Sequence, residues 1–245
     1  MQQVTTQHKI ELPAREPVHK MLLLCGILSS LLYAIMNLLT AMLYEGYSSV
    51  SQTVSELSAI DAPTRPLWVA LAVIYALLVI AFGFGLIKSA VVNRRLRIVG
   101  VLLIVSAVIG FFWPPMHQRT VLAAGGGTLT DTLHIVFTLV TVPLMMLAIG
   151  FGAAAFGKRF RLYSVATLVV LILFGILTGL QGPQISANMP TPMIGVWERI
   201  NIGVYMLWIA VLAVILLQEE KRRHALTTEQ SEVTPGAIKH KKVVL

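Results

Sequence analysis

The sequence predicts an all-α polytopic membrane bundle of six transmembrane helices with both termini in the cytoplasm. Three observations predict it. First, 56% of the 245 residues are hydrophobic and only 12% are charged, with a mean hydropathy of +0.80. A soluble fold of this length could not cover so much apolar surface, so lipid has to serve as its solvent. Second, the apolar residues gather in six runs close to the ~20 residues a helix needs to cross hydrocarbon, where open strands would leave backbone groups unsatisfied. Third, the Lys and Arg residues keep to alternate connections between the runs, the pattern that orients membrane helices.

Residues 1–20 are polar and mixed in charge, and read as a cytoplasmic tail. The first run, Met21–Tyr44, is about twice a signal-peptide core and lacks a small-x-small cleavage site, which predicts a retained span. It carries Cys25, the only cysteine, so no intrachain disulfide or Cys-based metal site is available and Cys25 reads as a small packing residue. Ser30, Asn37 and Thr40 in the same run are expected to hydrogen-bond between helices. The second and third runs are Leu67–Ala90 and Leu96–Trp113, the third being the shortest. Gly83 and Gly85 read as packing positions. Thr132–Phe156, Leu162–Leu180 and Ile194–Leu217 complete a membrane domain over 21–217, and 218–245 reads as a polar cytoplasmic tail, helical for a turn and then disordered.

Lys9, Arg15 and Lys20, then Lys88, Arg94, Arg95 and Arg97, then Lys158, Arg159 and Arg161, and finally the basic residues from Lys221 to Lys242 all fall on one side. Only Arg65, Arg119 and Arg199 fall on the other. The net charge of +8 therefore reads as topology and contact with lipid headgroups, and nucleic acid is rejected as a partner. The bilayer is the partner the composition implies, and the cell membrane the expected location. No internal repeat is visible, which weakens an inverted-repeat transporter.

The outer connections hold the polar chemistry. In the first, Val50, Val54 and Leu57 recur at helical spacing, as do Ser51, Ser55 and Ser58, so a short amphipathic helix is expected to present its serines and Glu56 to a cavity. The bland alternative is an interfacial helix with solvated serines. In the second, Pro114 and Pro115 end the third helix and fix His117 just beyond it, and Gly125–Gly127 form a joint. Thr128 or Thr130 can cap the fourth helix, where Asp131 and His134 share a face at i, i+3 that Thr138 and Thr141 extend. In the third, Glu198 and the adjacent Arg199 open the sixth helix and need separate partners.

Four of these stretches carry a resemblance: Ser51-Gln-Thr-Val-Ser-Glu-Leu-Ser-Ala-Ile-Asp-Ala-Pro-Thr-Arg-Pro66, Pro114-Pro-Met-His117, Thr130-Asp-Thr-Leu-His134 and Trp197-Glu-Arg-Ile200. The sequence resembles the uncharacterised membrane family catalogued as "domain of unknown function 998" over most of its length. The resemblance implies a six-helix membrane bundle and no activity.

Function classes follow from the residues. A membrane-embedded hydrolase would use Asp131, His134, Glu56 and Ser55 as catalytic groups. His117, His134 and Asp131, joined by Glu56 or Glu198, would hold a divalent ion such as zinc with one position left for water. Glu198, Arg199, Arg65 and Asp61 would bind substrate or pair with one another, Arg199 with Asp131, Glu56 or Asp61. A lipid ester or amide would suit a site at the outer interface. The competing class is a non-catalytic scaffold, sensor or partner subunit in which the charges only tie helix ends together. A small-solute carrier is disfavoured because the charges stop near one face and several helices have apolar centres.

Overall fold

The computed structural model describes residues 17–90 and 93–233, and the side chains of all of these but 224 and 226–233. The expected tails at 1–20 and 218–245 lie outside the described residues over 1–16 and 234–245. The chain between them is helical, with no strand among the described residues. Six long helices stand at the six apolar runs: α1 (Pro17–Leu43), α2 (Arg65–Ser89), α3 (Arg94–Phe111), α5 (Leu129–Ala155), α6 (Lys158–Leu180) and α8 (Ile194–Val233). Two short helices, α4 (Arg119–Ala123) and α7 (Gly182–Ser186), lie in connections that the hydropathy pattern leaves as plain loops.

Five helices, α1, α2, α5, α6 (with its continuation to Ser186) and α8, are long and apolar enough to cross a membrane. Helix α3 has only 18 residues, and Arg94, Arg95 and Arg97 occupy its first turn. The neighbours run α1–α2–α3–α5–α6–α8 and back to α1, so the six long helices close into an up-and-down ring. Large apolar side chains such as Leu38, Leu139, Val169 and Leu173 point away from its core and are exposed. That outer belt matches lipid rather than water.

Inside the ring, backbones approach where side chains are small. Gly83 on α2 and Gly100 on α3 face each other, and a Cβ on Gly100 would stand 2.7 Å from the Gly83 carbonyl. Gly152 on α5 leaves room for the Trp208 ring. Trp208 is fully buried on α8, and its indole N–H donates to Ser164 Oγ at 2.9 Å. These are the small-residue contacts by which membrane helices pack without a hydrophobic drive between them. Ser30 makes the expected interhelical bond, donating to the Met206 carbonyl at 2.8 Å. Thr40 does not: its hydroxyl turns back to the Met36 carbonyl of its own helix.

The ends of the ring differ. At the end with short connections, three side chains reach the last carbonyls of α5: Asn93 to Ala155, Arg95 to Ala154 and Arg161 to Ala153. Cations there also complement the helix dipole. His19 and Glu220 are buried together at the same end, 3.4 Å apart. The expectation of one helical turn after Leu217 is corrected here. Helix α8 continues to Val233, with Glu220 packed against α1. The opposite end carries the three long connections, 44–64, 112–128 and 181–193, and all of the candidate site.

Candidate functional site

The first long connection is not an amphipathic helix. Only Val54–Ser58 is helical, as a single 3₁₀ turn, and its two serines take different partners, Ser55 the His134 ring and Ser58 the Ser55 carbonyl. Val54 and Leu57 are buried while Val50 is half exposed. The turn is anchored through its acid. Glu56 accepts from the Thr53 N–H at 2.7 Å and the Thr53 hydroxyl at 2.9 Å. Arg119 of α4 adds a two-toothed contact, Nε to Oε1 at 2.5 Å and Nη2 to Oε2 at 2.9 Å. The same guanidinium donates to Thr191 Oγ1 at 2.6 Å and to the Ser51 carbonyl at 3.0 Å. Thr191 in turn donates to the Ser51 carbonyl at 2.7 Å. One buried ion pair thus fastens all three long connections to one another.

Arg199 takes neither Glu56, Asp61 nor Asp131, contrary to expectation. It reaches Asn37 Oδ1 at 3.1 Å, the Tyr47 hydroxyl at 2.6 Å, and the carbonyls of Ser49, Gln52 and Gly195. A guanidinium has five N–H donors, and here they join two carbonyls of the 49–52 segment to one at the start of α8. Tyr47 donates to the Thr53 carbonyl at 2.7 Å, and its ring lies beside the guanidinium. Burial pushes the Tyr47 phenol up to about 12, against a smaller opposing pull from Arg199. Glu198 accepts from the Val54 N–H at 2.5 Å and has no ion-pair partner among the described residues. Arg65 donates to the Ser58 carbonyl at 2.6 Å. Asp61 is exposed, with φ at +63°, and stands apart from the cluster.

Asp131 and His134 share a helix face but do not pair. Asp131 folds back as the cap of its own helix, accepting from the Thr128 N–H at 2.8 Å, and holds His117 through that residue's backbone N–H at 2.7 Å and ring Nδ1 at 2.9 Å. The cap consumes the carboxylate that a metal would need. Among the described residues no three His, Cys, Asp or Glu side chains stand together as a metal site, so the expected His117–His134–Asp131 set is not assembled.

His134 belongs to a different pair. It is buried, with Nε2 at 3.2 Å from Ser55 Oγ. Its Nδ1 meets the Pro114 carbonyl at 2.8 Å and the Trp113 indole N–H at 3.1 Å. Those two neighbours ask for opposite tautomers. In the tautomer with the proton on Nδ1, Pro114 accepts it, the Trp113 bond is given up, and the Nε2 lone pair faces the Ser55 hydroxyl. The ring also meets Trp113 edge to face, with centroids 5.5 Å apart. Pro114 follows the end of α3 and Asp131 ties His117 to α5, so the segment that carries the Pro114 carbonyl is held at both of its ends. Residues 27–215 match the family described as "Protein of unknown function (DUF998)". The chain belongs to that family. The DUF998 match takes in every residue of this cluster, from Asn37 to Arg199. No curated protein and no solved structure matches the chain.

Sequence reasoning named Ser55, His134, Glu56 and Asp131 together, and the structure divides them into three separate arrangements. It missed Arg119 as the partner of Glu56, and Tyr47, Thr191 and the Pro114 carbonyl altogether. The one available signal was that Arg119 is one of only three cations on an otherwise cation-poor side.

Proposed function

We propose that this DUF998 protein is a membrane-embedded serine hydrolase that cleaves an ester or amide of a lipid at the membrane interface. The observation that carries the reading is the Ser55–His134 pair, with a buried imidazole oriented through Nδ1 by a backbone carbonyl and facing a partly exposed hydroxyl. A nucleophile beside a base that is itself oriented by a third group is the constellation of acyl transfer. Ser55 Oγ attacks the carbonyl carbon as its proton passes to His134 Nε2. The tetrahedral intermediate collapses, and the alcohol or amine leaves with that proton. Water then attacks the acyl-serine with His134 again as base, which restores the hydroxyl. Glu56, Arg119 and Arg199 are positioning residues that hold the turn on which Ser55 rides.

The bundle is read as six spans, with the long connections outside and the basic end in the cytoplasm. What supports a sixth span is the place of α3 in the ring, between α2 and α5, and the arginines gathered at its basic end. The purified full chain, treated with a fluorophosphonate probe, should carry the label on Ser55. Ser55→Ala and His134→Gln should lose it while keeping the wild-type melting profile. Folded wild-type protein with Ser55 unlabelled, or His134→Gln labelled at the wild-type rate, would overturn the reading and leave the cluster as a structural cap.

A further inference from the structure

Six cations surround the basic end of α5, and the hydrolase reading does not use them. They are Arg94, Arg95 and Arg97 on the first turn of α3, and Lys158, Arg159 and Arg161 on the first turn of α6. All six are exposed, and residues 88–97 and 156–161 contain no acid. Positive-inside topology alone asks only for cations somewhere in the connections. Here two of them are held in place, Arg95 on the Ala154 carbonyl and Arg161 on the Ala153 carbonyl.

The surface beneath is shaped as well as charged. A depression of about 550 Å³ runs between the start of α6 and α8. Lys158 and Arg159 stand at its edge, and Phe156, Tyr163, Val211 and Ile215 line it; Glu219 is the one acid on its wall. Arg222, three residues further along α8, is exposed. A second depression of about 430 Å³ lies on the other side of the α5–α6 turn, lined by Asn93, Arg94, Arg95, Ala154 and Ala155. Apolar floor and cationic mouth occur together at the height where α6 leaves the apolar belt. A soluble anion would use the mouth and leave the floor wet. An amphiphile with a phosphate and acyl chains satisfies both parts at once.

We infer that the cleft between the start of α6 and α8 binds the headgroup and upper chain of an anionic phospholipid, phosphate on Lys158 and Arg159 and chain on Val211 and Ile215. The full chain in detergent, titrated with dioleoylphosphatidylglycerol and read by native mass spectrometry, should retain a bound lipid. Lys158→Gln/Arg159→Gln should weaken retention about tenfold. Lys20→Gln/Lys88→Gln removes the same charge from exposed positions at the same end and should leave retention unchanged. Val211→Asn should weaken it with the cations intact. Equal loss in the two charge variants would mean diffuse attraction only. Competition by inorganic phosphate would mean an ion site without a lipid, and equal retention of dioleoylphosphatidylcholine would mean a charge-blind groove; each of the three overturns the proposal. Should the double variant fold poorly, Arg159→Gln alone carries the comparison. None of these readouts depends on Ser55.

Discussion

At the scale of single residues, the loop end is governed by which charge has been taken out of water with its partner. Glu56 and Arg119 have side chains only 5% and 11% exposed, so removing one leaves the other buried and unpaired. That situation costs about 3–5 kcal/mol. Arg119→Ala should therefore lower the melting temperature sharply. Arg65→Ala, which gives up one bond from a half-buried side chain to the Ser58 carbonyl, should cost about 1 kcal/mol or less. Equal losses in a thermal-shift comparison would remove Glu56–Arg119 as the fastening of the three connections. Tyr47 adds a pH test. Its folded pKa, about 12, lies above the ordinary 10, so the neutral phenol is the form the fold favours. The stability it contributes is complete below pH 10 and is lost as pH rises through about 12. Tyr47→Phe should be less stable than wild type at pH 8, and the gap should close on approaching pH 12; a gap that stays constant would show that Tyr47 does not titrate with the fold. The polar inventory of this end was legible from the sequence, because ionisable residues in an apolar chain stand out. The pairing was not. Asp131 and His134 share a face by spacing, yet Asp131 caps its own helix and His134 meets a serine 79 positions away. Distances of that kind are set by how loops fold over the bundle, which no local period records.

At the scale of elements, hydropathy located all six long helices, five of them to within a few residues at both ends, since lipid demands long continuous apolar runs. It failed where the demand lapses. The Val50–Ser58 pattern fits a helix by spacing, but Arg119 and Arg199 hold the carbonyls of Ser49, Ser51 and Gln52, and those tertiary bonds fix the segment before Val54 in a non-helical path. A 3₁₀ turn is what remains. The continuation of α8 to Val233 was missed because a polar helix outside the membrane carries no hydropathy signal. Helix contacts were partly legible, in that Gly83 and Gly85 read as packing positions before their partners were known. Gly85 lies against Leu22 and Gly83 against Gly100. Gly100→Ala would set a methyl group 2.7 Å from the Gly83 backbone carbonyl, which cannot rotate away as a side chain can. The α2–α3 pair must then separate, at about 1–3 kcal/mol for overpacking. Gly110→Ala on the same helix meets nothing within 4 Å and should be neutral or slightly stabilising. The two variants, melted side by side, separate close packing from helix propensity; parity between them would mean that α2 and α3 are not in tight contact.

For the whole molecule, the ring gives topology a consequence that counting apolar runs does not. Six antiparallel neighbours in a closed ring place residues 44–64, 112–128 and 181–193 at one end and the α2–α3 and α5–α6 turns at the other. If α3 did not cross the membrane, α1 and α2 would be inverted relative to α5, α6 and α8, and the Glu56–Arg119–Thr191 fastening could not form, because its parts come from all three long connections. The span count and the polar cluster therefore stand or fall together. Cys25 is the single cysteine, so Cys25→Ala supplies a background without thiols. In it, Glu45→Cys, at an exposed residue of the first long connection, and Thr128→Cys, at an exposed residue of the second, should both react with a membrane-impermeant maleimide added to intact cells. Arg159→Cys, exposed at the basic end, should react only after the membrane is opened. Labelling of positions 45 and 128 from opposite sides would break the ring at α3 and dismantle the candidate site with it. Labelling of both from the cytoplasm would keep the ring and reverse its orientation, moving the hydrolase chemistry to the inner leaflet.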